Sequence, residues 1–378
     1  MRCVVAIDSF KGSLSSLEAG SAVKNAILDL DENSRVVVLP LADGGEGTVE
    51  AMYEGLGGDL IEVSVTGPLQ QKVMAKYCIL PDGETAVIEM ASAAGLTLVE
   101  PSERNPLKTT TYGVGEIIKD AVKRGCKRFI VGIGGSATND GGTGMLTALG
   151  FSFKDVNGAP IPLGAEGLGF LHSISAEKVM PELKYCSFSV ACDVTNPLCG
   201  EFGCSRIFAP QKGATPDDVT KMDLWLKNYA DITKSIFPEA DAEYPGTGAA
   251  GGLGFAFLNY LKGELNSGVN IILKETGFEK HLENSDVVIT GEGRLDAQTA
   301  MGKAPVGVAK IAKRYNKKVI AFGGSVSDGA QVLHNHGIDE LYGITPKDMP
   351  LSEAMKKDVA YKNLYNTVQK VMFEKASV

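Results

Sequence analysis

"CVVAIDSFKGSLSS", residues 3–16, sets an apolar run from Cys3 to Ile7 directly against Asp8, Ser9, Lys11 and Gly12. Five apolar residues are enough for one buried strand, and the acid, hydroxyl, cation and glycine that follow make a polar loop at its carboxyl end. The run is far shorter than the roughly 18 residues needed to cross a membrane and lacks the basic flank of an export signal. In the next stretch Leu17, Val23, Ile27 and Leu30 recur near helical spacing. Ser15 and Glu18 fit a capping box, in which each side chain accepts the other residue's backbone N–H. The stretch therefore predicts strand, polar loop, helix.

The unit repeats. "RVVVLPLADGGEGTVEAM", residues 35–52, gives a strand over 35–39, a loop over 42–47 and a helix opening near Thr48. Two such units in succession predict parallel strands. Further apolar strands followed by loop or helix lie in "SDVVITGEGRLDAQTAMGKAPVGVAKIAKRY" (285–315), "KKVIAFGGSV" (317–326) and "IDELYGIT" (338–345). Between the ends the texture changes. Residues 60–90 alternate in polarity, and Gly-Pro and Pro-Asp-Gly punctuate them as antiparallel strands. A helix over 113–124 stops at Gly125 and leads into the strand "RFIVGI". The expected fold class is α/β: a Rossmann-like doubly wound parallel-sheet domain from residues 1–59 and 271–378, with a second, mixed α/β domain, 60–270, inserted into it. A length of 378 residues accords with two domains.

Composition narrows the function. A net charge of −9 with no Lys/Arg stripe argues against nucleic acid as a partner, and no tract is long enough for a membrane. Seven scattered cysteines suit free thiols in the reducing cytoplasm. The four between Cys186 and Cys204 form no Cys-x-x-Cys pair, so packing outweighs zinc ligation. Four histidines, with His334 and His336 in an expected loop, give little support to histidine-based catalysis. Trp225 sits at helical spacing with Leu226 and Tyr229 and reads as packing; the charged tail reads as a surface amphipathic helix.

Ligands of open parallel sheets bind beyond the carboxyl ends of the strands. Five loops are expected there: Asp8–Gly12, Asp43–Gly47, Gly134–Gly144, Cys192–Gly200 and Gly291–Asp296. Each mixes glycine with acids, and most carry a hydroxyl or a cation as well. Glycine lets backbone amides approach phosphate, and carboxylates beside phosphate require a divalent cation between them. Any one loop is explained by ordinary turn preference. Five together point to Mg²⁺-nucleotide chemistry. A Walker loop fails at "AQTAMGKA", where Ala297 and Ala304 replace the needed Gly and hydroxyl. A dinucleotide fingerprint is met by Gly132, Gly134 and Ala137, with Asp155 downstream, but "TNDGGTG" delays the helix that the motif must open. An NAD(P)-dependent hydroxy-acid oxidoreductase and a non-catalytic nucleotide or sugar-acid binding protein therefore stand as alternatives.

The blocks "DSFKGSLSS", "LADGGEGT", "GIGGSATNDGG", "CDVTNPLCG", "GTGAAGGLGFAF" and "TGEGRLDAQTAMGKAP" together resemble the bacterial type I glycerate kinase family, in family order and across nearly the whole chain. Ile7 and Cys204 depart from the residues usual there without touching a polar group. The resemblance implies ATP-dependent phosphorylation of D-glycerate, typically to 2-phosphoglycerate, with Mg²⁺, in the cleft between two domains. Partners would then be small molecules, with homo-oligomers left open.

Laid over these loops, phosphoryl transfer needs an aligned acceptor and charge neutralisation. Gly134, Gly135, Ser136, Asn139 and Asp140 are expected to cradle nucleotide phosphates, with Gly291 and Gly293 assisting. Glu292 and Asp296 are expected at Mg²⁺. Lys11, Arg294 and Lys303 offer cations to substrate or phosphoryl group, and Ser9, Asp43 and Glu46 stand by to bind substrate. Asp193 is the first choice for the carboxylate that orients or deprotonates the acceptor hydroxyl, with Asp8 and Asp43 its competitors.

Overall fold

The computed structural model describes residues 1–376. Their strands, in chain order, are β1 (Arg2–Ile7), β2 (Arg35–Pro40), β3 (Asp59–Thr66), β4 (Lys72–Ile79), β5 (Thr85–Glu89), β6 (Arg128–Gly132), β7 (Ser152–Lys154), β8 (Ser173–Ser175), β9 (Ser187–Ala191), β10 (Glu264–Asn266), β11 (Val287–Leu295), β12 (Lys318–Val326) and β13 (Glu340–Gly343). The fold is mixed α/β, and the chain divides into two compact units. The first comprises Met1–Asp43, Glu50–Leu56 and the chain from Val269 onward; the second comprises Gly44–Val49 and Gly57–Gly268. Among the described residues no helix is long and apolar enough to cross a membrane.

The first unit is built on a five-stranded sheet in the order β13-β12-β11-β1-β2, every pair parallel. β1 lies inside the sheet, and all its residues from Cys3 to Ile7 are buried, which explains an unbroken apolar run instead of an alternating one. Its two faces serve two cores. Val4 and Ala6 pack with Val288, Val319 and the helix Ala304–Arg314. Cys3, Val5 and Ile7 pack with Ile289, Ile320, Phe322 and the helices Ser16–Leu28 and Lys357–Ala376. The Ser15/Glu18 capping box forms as the sequence predicts, and such a cap contributes about 1 kcal/mol. Gly20 lets that helix close on β2, because a Cβ there would collide with Val38. The tail helix is more than a surface helix: Leu364 and Val368 are fully buried, and Tyr365 donates to Asp29 across 2.6 Å.

Two expectations are corrected here. Gly291–Leu295 is not a loop: β11 runs through it, paired with β12 from Phe322 to Val326. A Cβ on Gly291 would strike the Phe322 carbonyl oxygen, so this glycine serves close strand approach and not a turn. His334 and His336 belong to the 3₁₀ segment Asp328–His336.

The second unit carries a six-stranded mixed sheet in the order β10-β9-β6-β5-β4-β3. β3, β4 and β5 are antiparallel neighbours, as the alternation and turn residues of 60–90 predict, whereas β5, β6, β9 and β10 run parallel. The helix Tyr112–Lys123 buries Val114, Ile117, Ile118 and Ala121 against this sheet, and Gly125 follows in the left-handed region. The core continues through Phe129, Phe188 and Phe257 to the stacked rings of Tyr229 and Tyr260.

Candidate active site

In the first unit a cavity of about 460 Å³ opens where the parallel strands end. β1 delivers Asp8, Ser9 and Lys11 to it; the chain after β2 delivers Asp43; β11 delivers Glu292, Gly293 and Arg294. Lys303, the N-cap of the helix Ala304–Arg314, completes the polar lining. Eight side chains or backbone positions singled out in the sequence thus share one cavity. The connection is topological: in a parallel sheet every strand's carboxyl end lies at one edge, so loops remote in sequence converge. Asp8 is fixed there by its own N–H, which donates to the Gly291 carbonyl at 3.0 Å.

The electrostatics are those of crowded acids. Asp8 is 9% exposed, and burial first, then the neighbouring Asp43 and Glu292 carboxylates, push its pKa up to about 7 against the pull of the Ser9 N–H on Oδ1. Glu292 is likewise raised, by burial first and more weakly by Asp296 and Asp43. Thr299 Oγ1 donates to Glu292 Oε1 at 2.6 Å, and Lys303 Nζ stands 3.7 Å from Oε2. Asp296 does not line the cavity. Its carboxylate accepts the N–H groups of Gln298 and Thr299 and pairs with Arg294 Nε at 3.3 Å, so it folds its own turn and restrains Arg294. Gly291 is also outside the lining, held in β11.

The second unit holds the glycine loop after β6. Gly134 and Gly135 are exposed, and Gly135 has a φ of 73°. The residues behind them are buried and committed. Asp140 is fully buried: Oδ2 accepts from the Thr111 N–H and hydroxyl at 2.8 and 2.9 Å, from the Thr110 hydroxyl and from the Gly144 N–H, while Oδ1 accepts from the Gly142 N–H. Burial raises its pKa despite these donors. Asp140 is thus the knot of the loop and has no exposed edge to offer a phosphate. Asn139 Nδ2 donates to Ser205, and Ser136 Oγ accepts from Lys212 Nζ at 2.7 Å. Lys212 also donates to the Thr138 carbonyl at 2.6 Å; its burial brings its pKa down to about 8. In the same unit, Asp193 is exposed just beyond β9 and accepts the Gly268 N–H at 3.3 Å, and Glu46 is exposed in the Gly44–Val49 segment. Ten residues separate β6 from the helix Thr143–Ala148, so no helix opens within Gly132–Ala137 and the dinucleotide fingerprint lacks its structural context.

Sequence reasoning missed two features. Lys212 in "APQKGATP" looks like a solvated loop cation, and nothing local marks it as buried. Ile344, Met349, Leu351 and Met355 line the same cavity, in the stretch that follows β13. Their signal was available, because that stretch leaves a fifth parallel strand at the same edge.

Residues 3–374 match the glycerate kinase family. The chain is 45% identical over 371 residues to a glycerate kinase of Haemophilus influenzae, covering 98% of both, and 45% identical over 364 residues to the glycerate 2-kinase of Escherichia coli, covering 96% of this chain and 95% of that one. The crystal structure of a candidate glycerate kinase 2 from Salmonella typhimurium LT2 superposes with a TM-score of 0.91 at 44% identity, covering 100% of this chain and 99% of the other. Similarity of this extent in sequence and in fold leaves one conclusion about descent: the chain belongs to the glycerate kinase family.

Proposed function

We propose that this chain transfers the terminal phosphoryl group of ATP to D-glycerate. The observation that carries the reading is the convergence of Asp8, Asp43 and Glu292 with Lys11, Arg294 and Lys303 around one cavity of a glycerate kinase family member. Phosphoryl transfer asks a protein for position and charge neutralisation more than for covalent chemistry, and this lining supplies both signs of charge.

Asp8, raised toward neutral pH, is suited to take the proton of the acceptor hydroxyl. Asp193 is proposed to orient that hydroxyl, and Ser9 and Glu46 to bind the acceptor. Lys11, Arg294 and Lys303 would hold the substrate carboxylate and the transferring group. Gly134 and Gly135 would offer amides to an anionic group from an exposed loop tip, with Ser136, Asn139 and Asp140 shaping the loop behind them.

The lining also suits magnesium. Beyond burial, Asp43 raises the pKa of both Asp8 and Glu292, and Glu292 adds to the rise at Asp8, which is the repulsion a divalent cation relieves. Among the described residues no three acids, histidines or cysteines form a ready-made metal cage. Magnesium is commonly held by one or two carboxylates together with substrate phosphates, a pattern that Glu292 and Asp43 would meet. Bound there, the ion would neutralise phosphate charge. Asp296, spent on its own turn, would act through Arg294.

The E. coli relative's name specifies the 2-position, and we propose the same product here. We also infer that the first unit is a Rossmann-like doubly wound domain into which the 60–270 region is inserted; limited proteolysis that fails to release that region as one resistant fragment would count against it. The function is tested by a coupled ADP-release assay with D-glycerate, with and without Mg²⁺. Release dependent on both supports the kinase; tight ligand binding with no turnover, or nicotinamide reduction with a hydroxy acid, overturns it. Phosphorus NMR of the product reads the position.

A further inference from the structure

The cavity is too large, and too apolar along one side, for a three-carbon acid. Pockets of about 300–1,000 Å³ suit ligands of nucleotide size, and this one has about 460 Å³. Its linings follow the strand order. Asp43 comes after β2, Asp8 after β1, Glu292 lies in β11, Gly324 and Ser325 lie in β12, and Ile344 comes after β13. Four strand spacings of about 4.8 Å make that row roughly 19 Å long. It runs from carboxylates, through cations and small residues, to a wholly different surface, Ile344, Met349, Leu351 and Met355, and Phe10 of the loop after β1 belongs to the same lining.

That surface is preformed. Pro346 and Pro350 fix the backbone around Met349, whose N–H donates to the Pro346 carbonyl, while Glu353 and Ala354 donate to the Pro350 carbonyl. It is also unsatisfied as packing, since Leu351 is 74% and Met355 40% exposed at the rim. Large apolar side chains on a rigid rim gain by covering a flat ring, and methionine sulfur adds favourable contact with an aromatic edge.

We infer that Phe10 and the Ile344–Met355 stretch seat the purine ring of the nucleoside triphosphate, whose phosphates run along the sheet edge toward Lys303 and Glu292. The inference rests on the proposed kinase reading and places the ring in the first unit.

Leu351→Ser and Met355→Gln test it, because both positions are exposed enough for the fold to be kept; circular dichroism and melting temperature verify this. The expected result is a rise of about tenfold in KM for ATP, with KM for D-glycerate moving less than twofold. Adenosine, which carries the ring alone, should inhibit the wild type competitively with ATP and lose about as much potency in the variants, while inorganic tripolyphosphate inhibits all three alike. Unchanged adenosine inhibition in the variants overturns the subsite, as does a rise in adenosine inhibition constant in Gly135→Ala but not in Leu351→Ser. A wild type that releases no ADP with D-glycerate sinks the kinase reading instead. Direct titration of adenosine onto the wild type and the Leu351→Ser protein still reads the subsite in that case.

Discussion

Lys212 Nζ stands 2.7 Å from Ser136 Oγ and 2.6 Å from the Thr138 carbonyl oxygen, so a buried ammonium closes the back of the glycine loop. Lys212→Met keeps the volume and removes both donors. Two buried acceptors lose their partner at about 1–3 kcal/mol each, partly offset because a buried charge is gone. The expected outcome is a net loss of about 1–3 kcal/mol in urea unfolding together with a fall in kcat of at least about tenfold. Stability and turnover both unchanged would show that the lysine does not hold the loop.

Asp8 is predicted to cost the unliganded protein stability. Its folded pKa is about 7 and its ordinary value 3.8, so the folded state binds its proton more tightly. The group therefore favours folding fully below pH 3.8, and that contribution is lost as pH rises through 7. Asp8→Asn, which can still accept the Ser9 N–H, should melt several degrees higher than wild type at pH 8, by an energy on the order of a few kcal/mol. The gap should shrink steadily between pH 7 and pH 4. Turnover should fall by about 10²–10⁴ in the same variant. Thermal scans across that pH range decide it; a gap that does not vary with pH refutes the assignment of the strained acid.

Thr299 aims Glu292 through its 2.6 Å hydrogen bond. If Glu292 meets magnesium, Thr299→Val should raise the Mg²⁺ concentration for half-maximal rate about tenfold, the usual effect of removing a partner that orients a ligand. Chelation by EDTA should abolish turnover, and MgCl₂ should restore it. An unaltered Mg²⁺ dependence in the Thr299 variant removes Glu292 from the metal.

Asp140→Asn turns one acceptor oxygen into an amide that faces N–H and O–H donors from Thr111 and Gly144. A loss of about 3 kcal/mol is expected, since a buried network is broken. Because Asp140 shapes the loop and touches no solvent, the fraction that remains folded should keep a KM for ATP within about threefold of wild type. A much larger KM with little lost stability would instead make it a ligand contact.

Much of this was legible because parallel sheets write their rules into short runs. The unbroken apolar β1, the Ser15/Glu18 box and the glycine after the helix Tyr112–Lys123 are local signals, and each forms as read. The acids of the cavity were found for the same reason, since Asp8 and Asp43 each follow the carboxyl end of a strand. Gly291–Leu295 misled because glycine and acid are turn formers in sequence terms, whereas here Gly291 admits a close neighbouring strand. The burial of Asp140, which the sequence offers as a phosphate contact, and of Lys212 is not legible there, because burial is a property of everything packed around a residue. Nothing in "TNDGG" says that five donors from Thr110, Thr111, Gly142 and Gly144 will enclose its carboxylate.

The pairing of β1 with β11, with Cys3 opposite Val287, bears on how the protein is made. β1 and β2 leave the ribosome early, yet the strand that must lie beside β1 is translated last but two. At about 5–20 residues per second, that interval is on the order of tens of seconds. Throughout it a bare edge of valines and isoleucine has no native neighbour on one side, a template on which other nascent chains can add. Soluble yield from overexpression should therefore be limited by translation rate and by holdase supply more than by the stability of the finished enzyme.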